Sequence, residues 1–251
     1  MKLTQVDKQV HMVTGTNVNW ALITDGDAIT VVDTGYPNDG AALIESIEQI
    51  GRRPEDVQAI VITHAHLDHI GGIRTLRARQ DVPVLTGTEE ARHARREYLQ
   101  QVSISDMLLQ CTRHAGRRWV EQTLQAVGPH LSMSIPEATG VPFDVSLDIP
   151  GALVPVSTPG HTVGHTAWLM PAAGVIFTGD ALVTDHPLSR IGCCPQLLPS
   201  IFNEDEDEMV NSLNQMAELQ ADTVVPGHGP VQVGTLRDIA VAAAKTKLAK
   251  R

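Results

Sequence analysis

Short apolar runs interrupted by turn residues dominate the first third of the chain. VHMVTG, WALIT and AITVVDTG are rich in β-branched and aromatic residues, and Asp25-Gly26-Asp27 separates the last two. Runs of this kind, bounded by turn residues, predict short β-strands. The next segment, DGAALIESIEQIG, has apolar residues at helical spacing, which predicts a helix that begins at Asn38 or Asp39 and ends at Gly51.

Strand-like runs also precede several polar motifs further along the chain. AIVIT at 59–63 leads into His64, ALVPVSTPGH ends at His161, and GVIFTGD ends at Asp180. A helix predicted from about Asn203 to Leu219 opens with EDEDE, and an acidic first turn suits the helix dipole. Because polar side chains at strand ends are held on a rigid scaffold, we expect the chemistry of this chain at those positions.

The stretch from about Thr88 to Pro142 departs from this alternation. It is helix-rich and lies between two strand-rich blocks. We interpret residues 1–251 as a single domain, in which residues 88–142 form an insertion.

Composition indicates the class of protein and its surroundings. The 251 residues are 42% hydrophobic, enough for a globular core, and the net charge of −10 argues against nucleic acid as a partner. The N-terminus, MKLTQVDKQV, has no apolar signal core, and no apolar window approaches the ~18 residues of a membrane span, so we expect no membrane partner. Three cysteines make no disulfide framework, which predicts a cytoplasmic location.

The run THAHLDHIGG, residues 63–72, holds the densest set of candidate ligands. It places His64, His66, Asp68 and His69 close together. His64 and His66 stand two apart, so both can point the same way in an extended segment. Neutral imidazole and carboxylate ligands suit zinc, and a catalytic zinc keeps one position open for water.

Three motifs downstream complete the candidate set. They are TPGHTVGH with His161, FTGD with Asp180, and PGHG with His228. A catalytic zinc needs about three protein ligands, so this many candidates predicts two ions. Two metals roughly 3.5–4 Å apart can share one water and hold both the attacking and the leaving oxygen.

In this order, from about Asp33 to His228, the motifs resemble those of the metallo-β-lactamase-fold hydrolase superfamily. The resemblance implies an α/β (α+β) fold, a four-layer αβ/βα sandwich with the metals in a cleft along one edge. It assigns His64, His66 and His161 to the first metal, Asp68, His69 and His228 to the second, and Asp180 to a bridging position.

Two further residues are expected to lie behind the ligands. Asp33 ends the run ITVVDTG, where the superfamily has an acidic residue, and ligating histidines usually donate their other N–H to a carboxylate or carbonyl. A turn aspartate before Gly35 is the alternative interpretation. His165 is a family-typical companion of His161 and is not predicted to be a ligand. The remaining histidines are predicted to be structural: His11, His93, His114, His130 and His186.

The resemblance also implies how the cleft is covered. Insertions between the HxHxDH motif and the next histidine ligand commonly form a roof in this superfamily, so residues 88–142 are predicted to be a lid. Simple packing or a homodimer contact is the alternative. A loop from Leu182 to Phe202 is predicted to border the same pocket.

The resulting hypothesis is a zinc-dependent metallo-hydrolase acting on a small-molecule substrate. A hydroxide that bridges two Zn²⁺ ions attacks the carbonyl carbon of an ester, lactone or thioester, with iron or manganese as alternative metals. Asp68 or Asp180 passes a proton to the leaving group.

The chain differs from several familiar subfamilies of this superfamily, and these differences restrict its substrate only by exclusion. True metallo-β-lactamases generally lack the bridging aspartate, so Asp180 leaves β-lactam hydrolysis as a weak side activity at most. Glyoxalase II enzymes carry a longer C-terminal extension than the segment that follows His228. Lactonases commonly place a tyrosine near the pocket, and no tyrosine is predicted there. A mononuclear iron persulfide dioxygenase and a non-catalytic metal-binding protein remain the alternatives.

Overall fold

The apolar runs of the N-terminal part form one mixed sheet in the computed structural model, which describes residues 1–249. Strands β1 to β4 are antiparallel neighbours, and β4 to β7 run parallel to one another. In the parallel part of this sheet, Val31 of β4 lies opposite Ile60 of β5. The strands are β1 Lys2–Gln5, β2 Val10–Thr14, β3 Asn19–Asp25, β4 Ala28–Val32, β5 Val57–Val61, β6 Val84–Gly87 and β7 Ala138–Val141.

The strand-like runs of the C-terminal part form a second sheet, in the order β12-β11-β10-β9-β8. Only β10 and β11 run parallel; the other neighbours are antiparallel. The strands are β8 Val154–Ser157, β9 Thr166–Met170, β10 Val175–Gly179, β11 Thr223–Pro226 and β12 Gln232–Val233.

Helices cover the outer faces of the two sheets. An apolar cluster between the sheets includes Ile23 and Val61 of the first sheet, and Trp168 and Phe177 of the second. Two further clusters join each sheet to its own helices, which gives the predicted four-layer αβ/βα sandwich and confirms that fold. The helices are α1 Gly40–Gln49, α2 Leu67–Ile70, α3 Ile73–Arg77, α4 Thr88–Ala94, α5 Ile104–Gln110, α6 His114–Val127, α7 Glu206–Met216 and α8 Leu236–Ala249.

Several boundaries differ from the sequence prediction. Strand β5 ends at Val61, so two more residues precede His64, which follows the strand in a loop. Helix α7 begins only at Glu206, because the Asp205 side chain accepts the backbone N–H groups of the first turn and caps the helix. The segment 88–142 contains α4, α5 and α6 as predicted, but its end, β7, is an edge strand of the first sheet.

None of the helices within residues 1–249 combines the length and the apolarity that a membrane span requires.

Candidate metal centre

Three histidine rings from both halves of the molecule converge on one point. His64 and His66 lie in the loop after β5, and His161 lies in the loop between β8 and β9. His64 Nε2 is 3.0 Å from His66 Nδ1, and His161 Nε2 is 3.1 Å from each of those atoms. Three ring nitrogens so close together can serve one metal ion.

A second group of donors lies beside the first. Asp68 and His69 belong to the short helix α2, and His228 follows β11. Asp68 Oδ2 is 3.8 Å from His69 Nε2 and 3.6 Å from His228 Nε2.

Asp180, directly after β10, lies between the two groups. Its Oδ2 is 3.2 Å from His228 Nε2 and 3.5 Å from His161 Nε2, and its Oδ1 is 3.4 Å from His69 Nε2. The structure therefore brings the seven predicted ligand side chains together, with Asp180 in contact with both groups.

Unpaired buried atoms test whether this cluster suits a metal. His69 Nε2 and Asp180 Oδ1 are buried and have no hydrogen-bond partner among the described residues. Buried polar atoms are nearly always paired, so a ring nitrogen and a carboxylate oxygen that face each other unpaired indicate a missing bonding partner. Imidazole and carboxylate donors fit zinc and other divalent transition metals. The cluster fits metal ions, which would pair both atoms.

The far ring nitrogen of each predicted histidine ligand has its own partner, which orients the ring and selects its tautomer. The partners come from the loops around the cluster. They are Thr63 Oγ1 at 3.1 Å for His64, Gln100 O at 3.0 Å for His66, Asp33 Oδ2 at 2.9 Å for His69, Asn203 Oδ1 at 3.2 Å for His161, and Asn17 O at 2.5 Å for His228.

Asp33 and His165 lie behind the cluster, where the sequence predicted supporting residues. Besides accepting from His69 Nδ1, Asp33 accepts from the backbone N and the Oγ1 of Thr63, both at 2.8 Å. His165 Nε2 accepts from the backbone N of Asp180 at 3.1 Å, and its Nδ1 lies 2.8 Å from Thr158 Oγ1. Asp33 thus orients His69 and Thr63, and His165 holds the backbone of Asp180.

The electrostatic environment differs between the two groups. Burial, reinforced by neighbouring histidines, lowers the pKa of His64 and His66 well below the usual value. Burial also lowers the pKa of His69, but Asp180, Asp33 and Asp68 outweigh it and raise that pKa well above the usual value. The carboxylates are thus concentrated around the second group of donors.

A largely apolar cleft opens onto the cluster. Residues 101–131 form much of one wall, and Leu198 and Phe202 close another side. Part of the 88–142 segment therefore lines the cleft, and its action as a lid stays a prediction. The apolar lining residues are Leu67, Val102, Met107, Trp119, Leu124, Val127, Leu131, Leu198 and Phe202.

Tyr36 corrects one expectation from the sequence. No tyrosine was predicted at the pocket, but Tyr36 lines the cleft beside Asp68 and Asp180. Burial and the Asp68 charge raise its pKa well above the usual value, so its hydroxyl stays protonated. Its loop can approach closely because Gly71 has no side chain: a Cβ there would lie 2.1 Å from Pro37 N.

His186 also lines the cleft, although the sequence predicted only a structural role for it. Its ring centroid is 5.3 Å from that of His228 and 5.0 Å from that of Phe202. Burial, followed by the neighbouring His228, lowers the pKa of His186 to about 3. A neutral imidazole therefore forms part of the wall next to the second group of donors.

Comparisons with known proteins agree on one family. Residues 13–228 match the sequence model of the metallo-β-lactamase superfamily. The chain is 26% identical over 227 residues to the probable metallo-hydrolase YflN of Bacillus subtilis (strain 168), covering 85% of this chain and 80% of that protein. It is 29% identical over 235 residues to the hydroxyacylglutathione hydrolase of Ruegeria pomeroyi, covering 91% of this chain and 71% of that protein.

A solved structure agrees at the level of the fold. A metallo-β-lactamase family protein from Thermus thermophilus superimposes with a TM-score of 0.66 at 23% identity. The match covers 98% of this chain and 81% of that one.

Proposed function

The chain belongs to the metallo-β-lactamase superfamily of metal-dependent hydrolases, and on that premise we propose that it is a dinuclear zinc enzyme that cleaves a carbonyl ester, lactone or thioester. The observation that carries the proposal is the bridging position of Asp180. Its two oxygens reach both groups of donors, with Oδ2 3.5 Å from His161 Nε2 and Oδ1 3.4 Å from His69 Nε2.

The proposal divides the residues between two ions. The three convergent histidine nitrogens would hold one ion, Asp68, His69 and His228 would hold the other, and Asp180 would reach both. When bound, such ions polarise a carbonyl oxygen and activate water near neutral pH.

The chain's own side chains supply the proton and hydrogen-bond steps. Asp68 faces the open cleft and is the partly exposed carboxylate of the cluster, so it is placed to accept a proton from water and return it to the leaving group. Tyr36 keeps its phenolic proton and lines the same space, so it can donate a hydrogen bond to the substrate oxygen that gains charge.

The apolar wall favours a neutral substrate with an apolar acyl group. Among the described residues, no lysine or arginine lines the cleft. A hydroxyacylglutathione, the substrate named for the Ruegeria pomeroyi relative, carries carboxylates that this wall leaves without a cationic partner. Aliphatic chains, by contrast, gain about 0.8 kcal/mol for each buried CH₂.

The test is a panel of neutral esters, lactones and thioesters of increasing acyl length, measured alongside a hydroxyacylglutathione and a β-lactam. We expect kcat/KM to rise from acetyl to octanoyl and to exceed the value for the glutathione thioester. Activity should vanish on chelation and return with zinc. Turnover of none of these substrates, or oxygen consumption with a persulfide in their place, would overturn the proposal.

A further inference from the structure

A buried carboxylate outside the donor cluster links the two loops that carry the three convergent histidines. Glu90 of α4 is fully buried. Its Oε1 accepts the backbone N–H of Ala65 at 2.7 Å, and its Oε2 accepts the hydroxyl of Thr162 at 2.7 Å. Ala65 separates His64 from His66, and Thr162 follows His161.

A second connection runs from Glu90 to the ring of His66. His93 Nδ1 donates to Glu90 Oε1 at 2.7 Å, and the backbone N of Gln100 donates to His93 Nε2 at 3.1 Å. The carbonyl oxygen of Gln100 accepts from His66 Nε2 at 3.0 Å. A carbonyl can only accept, so the His66 proton sits on Nε2 and the Nδ1 lone pair faces the other two histidines.

The loop after His161 is held by the same elements. Gln100 Oε1 accepts the backbone N–H of Val163 at 3.0 Å. Gly164 packs directly on α4, where a Cβ would lie 2.3 Å from Glu90 N. Helix α4 and the chain up to Gln100 therefore contact both histidine loops from behind.

Glu90 has more than a packing role, because a buried carboxylate needs strong compensation. The Glu90 carboxylate accepts hydrogen bonds, among described residues, from the two histidine loops and from His93. His93 is connected to the His66 ring through Gln100. None comes from Asp68, His69 or His228. Asp33, by contrast, contacts both groups: it accepts from His69 and also from Thr63, which contacts His64.

We propose that Glu90 is a positioning residue for the first metal. It fixes the spacing between the His64–His66 loop and the His161 loop, and through His93 and Gln100 it sets the orientation of the His66 ring. The inference rests on the two-metal centre proposed above, but not on its substrate.

Metal binding by variants tests this directly, with Co²⁺ affinities measured against a competing chelator. In Glu90→Ala, one of the two bound ions should bind about 10- to 100-fold more weakly, as is usual when a partner behind a ligand is lost. The other ion should keep its affinity. In Glu90→Gln both ions should bind as they do in the wild type, since the amide oxygen can accept from Ala65 and the NH₂ can donate to Thr162 Oγ1.

Two comparisons identify the affected site. Asp68→Ala removes a carboxylate that contacts His69 and His228, so it should weaken the other ion, and the double variant with Glu90→Ala should bind neither tightly. Ile47→Ala, which removes fully buried side-chain volume from α1, is the matched control for lost stability and should bind both ions normally. If Glu90→Ala does not fold, Thr162→Val, which removes the hydroxyl donor while keeping the side-chain shape, should weaken the same ion.

Each contrary outcome has a distinct meaning. Unchanged affinities in Glu90→Ala, or unchanged affinities in Thr162→Val where only that variant folds, would overturn the role of Glu90 alone. So would equal weakening of both ions, or the same loss in Ile47→Ala. A wild-type protein that binds no metal would overturn the two-metal proposal as well.

Discussion

Asp180 lies against histidines of both groups of donors. It is almost fully buried, and although burial raises its pKa, His228 and His69 outweigh that effect and hold the pKa well below the usual value. The backbone N–H of Asp180 is in turn fixed by His165. The carboxylate is thus held charged between the two groups of donors.

Replacing Asp180 tests its bridging position. In Asp180→Ala we expect at least one ion to be lost and turnover to fall by more than about 100-fold, because losing a ligand exceeds the ~10- to 100-fold effect of losing a supporting residue. Elemental analysis and steady-state kinetics measure both effects. A variant that keeps two ions and full activity would contradict the assignment.

Tyr36 provides a second prediction at the scale of the residue. In Tyr36→Phe the ring remains but the phenolic hydroxyl is lost, so kcat should fall by about 100-fold, the usual effect of removing one donor to a developing oxyanion. Bound metal should not change, because Tyr36 is not among the donors. Tyr98→Phe, which removes the chain's other tyrosine hydroxyl outside the cleft lining, is the matched control. Equal kcat in wild type and Tyr36→Phe would contradict the role.

Sequence reasoning could find the ligand candidates because each lies in a short motif with a recognisable spacing. It could not find Glu90, whose partner Thr162 lies 72 positions away. Tyr36 was missed for the same reason, because its place in the cleft depends on how its loop packs on Gly71. One local signal for Glu90 existed: Glu90 and His93 stand three residues apart, which puts them on one face of α4.

At the scale of the element, the loops after strands carry the chemistry. His64, His161 and Asp180 all follow strands, as the alternation of apolar and polar residues predicted. The short strands β6 and β7 were not anticipated. The pairing of β6 with β5, and of β7 with β6, depends on contacts between distant segments, which periodicity in so few residues does not reveal.

Helix α6 contributes Trp119, Thr123 and Leu124 to the cleft. Leu124 is 55% exposed, so it can be changed without disturbing the core. In Leu124→Asp we expect KM for an octanoyl ester to rise about 10-fold, equivalent to about 1.4 kcal/mol of lost apolar contact, with little change for an acetyl ester.

The control for that change is Leu108→Asp. Leu108 is 62% exposed and lies on α5 outside the cleft lining, so KM should be unaffected for either ester. If Leu124→Asp leaves KM for the longer ester unchanged, α6 does not form part of the substrate site.

At the scale of the whole molecule, the donor cluster joins the two sheets. His64, His66, Asp68 and His69 come from the first half of the sandwich, and His161, Asp180 and His228 come from the second. The layer order was predictable from the family resemblance and is confirmed. Bound ions would therefore cross-link the halves in addition to supporting catalysis.

Metal removal should consequently lower stability. A metal at about 1,000 times its Kd stabilises the folded state by about 4 kcal/mol. A change of about 2–4 °C per kcal/mol then predicts that chelation lowers Tm by roughly 10 °C, as measured by calorimetry with and without chelator. An unchanged Tm after verified removal of metal would show that the cluster does not hold the halves together.

The central claim is a two-metal centre, and elemental analysis of protein purified without added metal or chelator tests it most directly. We predict about two ions per chain, zinc alone or zinc mixed with iron or manganese. A single iron per chain would contradict the dinuclear hydrolase and favour oxygen chemistry at a mononuclear site.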